Sequence, residues 1–249
     1  MPAWVGTSGW QYRDWRERFY PTDVPQRSWL EYYATRFPTV EVNNAFYRLP
    51  EKSTFADWRA RTPDGFVVTV KASRYLTHVK RLAEPEEPVA RLMDRAAALG
   101  DRLGPVLLQL PPTLRADASV LDACLAAFPP STRVAVEPRH ESWWSTEVRE
   151  VLEKHGAALC WADRLGRPVT PRWRTTDWGY LRLHEGRANP RPRYGRQALQ
   201  TWADRLTHTY TAREDVYVYL NNDPGGAAIV DAEAIARALA RRGTPVVGV

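Results

Sequence analysis

Lysine is scarce in this chain of 249 residues: Lys52, Lys71, Lys80 and Lys154 stand against 31 arginines. Genomic bias, visible also in the many Ala and Pro, accounts for the preference, but it makes a lysine inside an apolar run conspicuous. Histidine is limited to five. A site holding several zinc ions takes about four ligands per metal. Cysteine is limited to Cys124 and Cys160, 36 positions apart, with no metal or redox spacing. Reduced, buried thiols in a cytoplasmic protein are the expectation. No apolar run approaches the about 18 residues of a membrane span. The start, MPAWVGTSGW, lacks a basic segment followed by an apolar one, so no signal peptide and no membrane partner are expected.

What is present is an ordinary globular composition. Hydrophobic residues make up 44% and charged residues 26%, which argues against disorder. The length suits one β/α barrel, and no repeat, linker or low-complexity tract divides residues 1–249. Eight β-rich runs recur: Ala3–Ser8, Thr39–Asn43, Phe66–Lys71, Val106–Leu110, Arg133–Glu137, Ala157–Trp161, Gly179–His184 and Val216–Asn221. Between them, Arg27–Arg36, Glu86–Leu99, Ala116–Ala127, Thr146–His155, Gln197–Ala212 and Asp231–Arg241 carry helical spacing. Ser53 and Ser145 are expected N-caps, and Gly100, Gly156 and Gly243 sit where helices should stop. Strands alternating with helices imply parallel pairing. The expected fold is α/β, a single eight-stranded parallel β/α (TIM) barrel, with irregular connections after strands 6 and 7 at Asp163–Trp178 and Glu185–Arg196. A doubly wound open sheet is the rival. No G-x-G-x-x-G follows any strand, which weakens it and leaves no nucleotide cofactor motif.

Barrel sites form where strand C-terminal ends converge. Here those ends are polar. Period-two alternation puts Glu41 with Asn43, Glu137 with Arg139, and Arg182 with His184 on one face, while Val42, Pro138 and Leu183 face the helices. Lys71, Gln109, Asn221 and Asp223 end other strands. A polar residue in an apolar strand is costly unless paired or functional. Glu41, Glu137, Lys71 and Arg182 could simply neutralise one another. Gln109 and Asn43 could satisfy backbone groups at the rim. Lys71 on a strand can be a Schiff-base nucleophile when its pKa is depressed; its more frequent role is to partner a carboxylate or phosphate. His184, and His78 in the loop after strand 3, are acid/base candidates. His155 and His208 read as surface residues.

Two further features bear on ligands. Asp163–Arg196 holds nine Arg and three acids, and so carries a charge of +6, equal to the net charge of the whole chain. Such a cluster points to a phosphate or nucleic acid. Trp10, Tyr12, Trp15, Phe19 and Tyr20 crowd the first loop among Arg13, Arg16 and Arg18. Aromatics near Arg can stack bases or sugars, Trp10 being the one taken for a substrate contact. Packing of loops over the barrel top is the plainer reading for Trp15 and Phe19.

The same residues carry a resemblance. Gly6-Thr7-Ser8-Gly9-Trp10, Phe19-Tyr20-Pro21, Val40-Glu41-Val42-Asn43, Phe46-Tyr47, Lys71-Ala72 and Thr77-His78 are similar to the YecE-like family, domain of unknown function 72. So are Leu108-Gln109-Leu110-Pro111-Pro112, Val136-Glu137-Pro138-Arg139, Ser142-Trp143, Arg182-Leu183-His184 and Asn221-Asn222-Asp223. The pattern covers nearly the whole chain. It departs at Glu185, where that family usually has Gly, and at Leu220, where Phe is common; both bear on the shape of the strand 7 loop. The resemblance implies a β/α barrel and supplies no activity. A distant similarity of such proteins to endonuclease-four-type barrels would imply phosphodiester chemistry on DNA with a metal cluster.

The residues favour an enzyme acting on a small anionic, phosphorylated or nucleotide-like substrate by general acid/base chemistry, in keeping with a hydrolase. Glu41 or Glu137 would be the base and His184 or His78 the acid, with Lys71, Arg139 and Arg182 holding the anion. Asn43, His78, Gln109, Asn221, Asp223 and Trp10 complete the expected substrate contacts. No residue is assigned as a metal ligand. His78, His184 and at most His140 reach the mouth, and with Glu41, Glu137 and Asp223 they could serve one divalent ion, hardly three. The alternatives are a nucleic-acid-binding protein, an endonuclease-four-like phosphodiesterase, and a glycosidase using Glu41 and Glu137. The last has no need of the surrounding cations.

Overall fold

The computed structural model describes residues 1–248. Its strands are β1 (Ala3–Thr7), β2 (Thr39–Val42), β3 (Val67–Lys71), β4 (Leu103–Gln109), β5 (Val134–Glu137), β6 (Ala158–Leu159), β7 (Trp161–Arg164), β8 (Arg167–Pro168), β9 (Gly179–Glu185) and β10 (Val216–Leu220). The helices are α1 (Trp29–Ala34), α2 (Asn44–Tyr47), α3 (Lys52–Ala60), α4 (Glu86–Ala96), α5 (Ala118–Ala126), α6 (Thr146–Lys154), α7 (Arg196–Thr209) and α8 (Ala227–Ala240). The strands make one curled sheet in the order β6-β5-β4-β3-β2-β1-β10-β9-β7-β8. Every pairing is parallel except β7 with β8. No helix among the described residues is long and apolar enough to cross a membrane.

Each of the eight runs read from sequence forms strand, but the sheet counts ten. The sixth run is interrupted: β6 pairs with β5, and β7 pairs with β9. Between them the Cys160 N–H donates to the Val136 carbonyl at 2.8 Å. The other addition, β8, comes from the connection that showed no helical period. Leu165 (φ 55°) and Gly166 (φ 68°) both sit in the left-handed region, as a two-residue hairpin turn demands, and return the chain antiparallel onto β7.

Helix signals held unevenly. Ser145 caps α6, its hydroxyl accepting from the Val148 N–H at 3.3 Å. Ser53 does not cap α3: it lies one residue inside, and Glu51 at the cap makes no side-chain bond. Gly100, Gly156 and Gly243 all have positive φ where helical segments end.

Alternation along the strands divides two cores. Val40, Val42, Val68 and Val70 face the helices and join the large outer core. The inner core is small and aromatic, with Leu107, Ala135, Trp178, Tyr180, Tyr217 and Tyr219. Its polar atoms are satisfied. The Tyr219 hydroxyl lies 2.7 Å from Thr39 Oγ1 and 2.8 Å from Thr69 Oγ1. An unsatisfied hydroxyl there would cost about 1–3 kcal/mol. Side chains inside the curl thus grade from aromatic near the strand starts to charged at the C-terminal ends.

Candidate functional site

Arg182, 1% exposed, stands at the centre of the strand ends. Its Nη2 donates to Glu41 Oε1 at 2.8 Å and its Nη1 to Glu137 Oε2 at 2.5 Å. Both carboxylates are fully buried. A buried charge is tolerable only when paired and hydrogen-bonded; the two carboxylates meet that condition, whereas Arg182 Nε is buried without a hydrogen-bond partner. Glu41 also accepts from Ser8 Oγ at 2.6 Å and from the Tyr180 hydroxyl. Glu137 Oε1 accepts from Arg139 Nη2 at 2.8 Å and meets His184 Nε2 at 2.8 Å. Burial works against ionisation of Glu137, yet Arg182, His184 and Arg139 together hold it well below the usual carboxylate range. Ser8 and Tyr180 were not singled out from sequence. Tyr180 had a signal: it precedes Arg182 by two positions on the same face.

His184 is nearly enclosed, and its tautomer follows from its neighbours. Asn221 Nδ2 lies 3.0 Å from Nδ1, which must then offer a lone pair. In that tautomer the proton sits on Nε2, 2.8 Å from Glu137 Oε1, and Arg139 Nη2, 3.3 Å from Nε2, is a charge contact rather than a hydrogen bond. Burial lowers the pKa of His184; Glu137 pulls upward, and Arg182 and Arg139 oppose it. The ring is therefore neutral beside its carboxylate rather than half of an ion pair.

Lys71 is the member the network leaves out. Among the described residues no carboxylate lies within 4.0 Å of its Nζ, and no hydrogen bond holds it. The mutual neutralisation expected from sequence involves Glu41, Glu137, Arg182 and Arg139 instead. Lys71 Nζ rests over the Phe46 ring, 4.2 Å from its centroid. Burial, with Arg182 and Arg139 nearby, lowers its pKa to about 8 against the pull of Glu41 and Glu137. His78 meets the same Phe46 edge-on, with centroids 4.9 Å apart. The Thr77 hydroxyl donates to the Ser73 carbonyl at 3.1 Å, so it accepts from His78 Nδ1 at 2.9 Å. His78 Nε2 then keeps its lone pair. Burial and the charges of Lys71, Arg74 and Arg139 hold His78 below its ordinary pKa.

The remaining expected contacts divide. Asn221 and Arg139 belong to the network. Gln109 pairs in register with Glu137 and donates to the Leu110 carbonyl at 2.8 Å. Asn43 donates to the Ser8 carbonyl at 3.0 Å, but its Oδ1 is buried without a partner. Asp223 Oδ1 is orphaned likewise. Burial raises the Asp223 pKa to about 7, against the Tyr12 hydroxyl and Arg182. Trp10 is 4% exposed and packs edge-on against Trp58 at 5.4 Å. It lines a cavity of about 150 Å³ together with Tyr12 and Asn43.

A second cavity of about 400 Å³ opens at the same end, lined by Arg139, Arg164, His184 and Asn221. A larger one, about 520 Å³, lies at the strand starts among Leu103, Gly104, Arg133 and Tyr217. Arg133 is the one charged side chain among its described lining residues. The arginine-rich segment spends four of its nine arginines on carboxylates: Arg164, Arg174, Arg182 and Arg193. Arg167, Arg172, Arg187, Arg191 and Arg196 are exposed, with no carboxylate within 4.0 Å among the described residues. No group of three or more His, Cys, Asp or Glu among the described residues converges to hold a metal. Glu41 and Glu137 already receive guanidinium donors, which makes them poor metal ligands.

Related proteins carry the same fold. UPF0759 protein YunF of Bacillus subtilis (strain 168) is 26% identical over 261 residues, covering 90% of each chain. The crystal structure of a DUF72 family protein from Thermotoga maritima MSB8, TM1631, superposes with a TM-score of 0.82 at 27% identity, covering 96% of this chain and 100% of that one. D-psicose 3-epimerase, crystallised in the presence of D-fructose, is a TIM-barrel-like enzyme that shares the fold alone: TM-score 0.51 at 13% identity over 98% and 99% of the two chains. The family profile described as "Protein of unknown function DUF72" matches residues 4–247, and this chain belongs to that family, the one its YecE-like motifs resemble.

Proposed function

We propose that the chain is an enzyme acting on a small anionic substrate, phosphorylated or nucleotide-like, by general acid/base chemistry at the strand C-terminal ends. In this reading the sheet is an eight-stranded barrel, β6 and β7 being one stave interrupted at Cys160 and β8 an appendage. One observation carries the substrate class. Two guanidiniums balance the two buried carboxylates, and Lys71 adds a cation that no carboxylate answers. Lys71 and Arg139 would hold the anion beside the His184 cavity. Glu41 and Glu137 would act as fixed charges that position Arg182 and His184, because Glu137 is too weak a base at neutral pH. Proton transfer would fall to groups that titrate near neutrality or keep a free lone pair, Asp223 and His78. Inorganic phosphate titrated by calorimetry tests the substrate class. Lys71→Met should weaken binding on the order of 10-fold, about 1.4 kcal/mol. No binding, or binding indifferent to Lys71 and Arg139, overturns the reading.

The five exposed arginines, without a carboxylate partner among the described residues, favour a second reading, a nucleic-acid-binding surface. Affinity for single- or double-stranded probes should then fall steeply with salt, with a slope set by the phosphates contacted. A salt-independent or absent interaction removes it. An endonuclease-four-like metal mechanism has no ligand cluster to support it among the described residues.

A further inference from the structure

We propose that Lys71 is an amine nucleophile that condenses with the carbonyl carbon of a small anionic aldehyde, ketone or 2-oxo acid, so that the site works through an imine. This rests on the reading of the mouth as an anion site and names the reactive group of the substrate.

Lys52 pairs with Asp94 at 3.1 Å, Lys154 with Asp122 at 2.7 Å, and Lys80 with Glu84. Each faces a carboxylate in an ion pair. Among the described residues, Lys71 alone of the four lysines has neither ion pair nor hydrogen bond, although it ends β3 in a ring of fixed charges. Those charges are Glu41 on β2, Glu137 on β5, Arg139 after β5 and Arg182 on β9, with His78 in the loop beyond β3 as a neutral neighbour and the uncharged Gln109 on β4. The guanidiniums bind the carboxylates first, so what reaches Lys71 is a field near balance, plus the face of Phe46. An amine needs that setting to lose its proton without being tied down.

With its pKa at about 8, Lys71 carries on the order of 100-fold more free amine at pH 8 than a lysine of ordinary pKa. The step balances without a cofactor. The Nζ lone pair forms the N–C bond as the carbonyl π pair moves to oxygen. A proton passes from nitrogen to that oxygen to give the carbinolamine, and one further proton, drawn from solvent, lets the oxygen leave as water and a protonated imine remain. His78 Nε2, whose lone pair is free, is placed by the shared Phe46 to take and return that proton. Arg139 Nη1, which makes no hydrogen bond among the described residues, is left for the anionic group.

Imine trapping on the whole protein tests this. Glyoxylate or dihydroxyacetone phosphate is added with sodium borohydride, and the adduct is located by peptide mass spectrometry; dihydroxyacetone is the neutral comparison. The expected result is one adduct, on Lys71, rising with pH to half its maximum near pH 8. It should be absent in Lys71→Arg, which keeps the charge, and undiminished when Lys52, Lys80 and Lys154 are all changed to Arg. Phosphate binding by calorimetry is followed in parallel. Phosphate binding without a Lys71 adduct overturns the imine and leaves the anion site standing. Equal trapping of dihydroxyacetone and its phosphate, without phosphate binding, overturns the anion site and keeps the nucleophile. Labelling spread over the four lysines, or confined to the Met1 amine, overturns the proposal.

Discussion

Asn221 Nδ2 lies 3.0 Å from Nδ1 of His184, and that contact decides which ring nitrogen carries the proton. With Nδ1 accepting, Nε2–H points at Glu137 and the ring stays neutral, below its ordinary pKa because it is buried. Asn221→Asp replaces the donor by an acceptor. Both ring nitrogens would then face carboxylates, which favours the imidazolium, and the pKa should rise by about 1 unit or more. Nitrogen-15 chemical shifts of the imidazole followed through a pH titration give both tautomer and midpoint. An unchanged titration in the variant would show that Asn221 does not set the ring.

Arg182→Met should be among the most damaging single substitutions in the chain. It leaves Glu41 and Glu137 buried without their shared partner, at a cost of about 3–5 kcal/mol at neutral pH. The pH dependence has a definite sign. In the native protein Glu137 titrates below its unfolded value, so its contribution is present above the unfolded carboxylate pKa and is lost as pH falls through the folded one. Without Arg182 the chief lowering charge is gone while burial still pushes upward, so stability is lost as pH rises instead. Urea unfolding of both proteins at pH 4 and pH 7 should show their difference shrinking toward acid. Replacing Glu41, Arg182 and Glu137 together by Met should recover most of the loss. A variant equally destabilised at both pH values would contradict this account.

Much of this was legible in the sequence because period-two alternation is a strong constraint. Glu41, Glu137, Arg182 and His184 could be placed on one face from spacing alone, and the fold brings them into one hydrogen-bonded network. Pairing was not legible. Nothing in the sequence indicates that Arg139 rather than Lys71 completes the charge balance, because that depends on side-chain reach across the mouth. The hairpin β7–β8 was missed for a related reason: Leu165 at positive φ is an unusual choice, so only Gly166 signalled a turn. Ser53 misled because a capping residue type in the first turn of α3 carries no information on which position it occupies.

The glycine that opens the Gly6-Thr7-Ser8-Gly9-Trp10 motif has a packing reason. A β-carbon on Gly6 would lie 2.1 Å from the Thr39 carbonyl oxygen, a backbone atom fixed in β2. Neither strand can move without disturbing Ser8 and Glu41, which hydrogen-bond across the same pair. Gly6→Ala should cost about 3 kcal/mol or more in urea unfolding, or prevent folding. Gly65 offers the contrast: its φ is +81° but nothing lies within 4 Å of an added β-carbon. Gly65→Ala should therefore cost only about 1 kcal/mol, from backbone conformation alone. Equal effects at the two positions would refute the close-approach explanation.

Asp223 carries a penalty that the fold tolerates. Its Oδ1 is buried without a partner, and burial holds its pKa near 7. A carboxyl whose folded pKa lies above its unfolded value stabilises the fold below the unfolded value, and that contribution disappears as pH rises through the folded one. Between about pH 4 and pH 7 the native protein should therefore lose stability through this residue. Asp223→Asn keeps the shape, offers an amide donor and cannot ionise. At pH 8 it should be more stable than the native protein by roughly 1–3 kcal/mol, the range a shift of this size allows for a residue not fully enclosed. At pH 4 the two should be nearly equal. If Asp223 also transfers a proton in the reaction, the stabilised variant should lose turnover once a substrate is in hand, while phosphate binding persists. A variant stabilised at pH 8 with unaltered turnover would assign Asp223 a structural part only, and one no more stable than the native protein would show that its carboxylate is solvated after all.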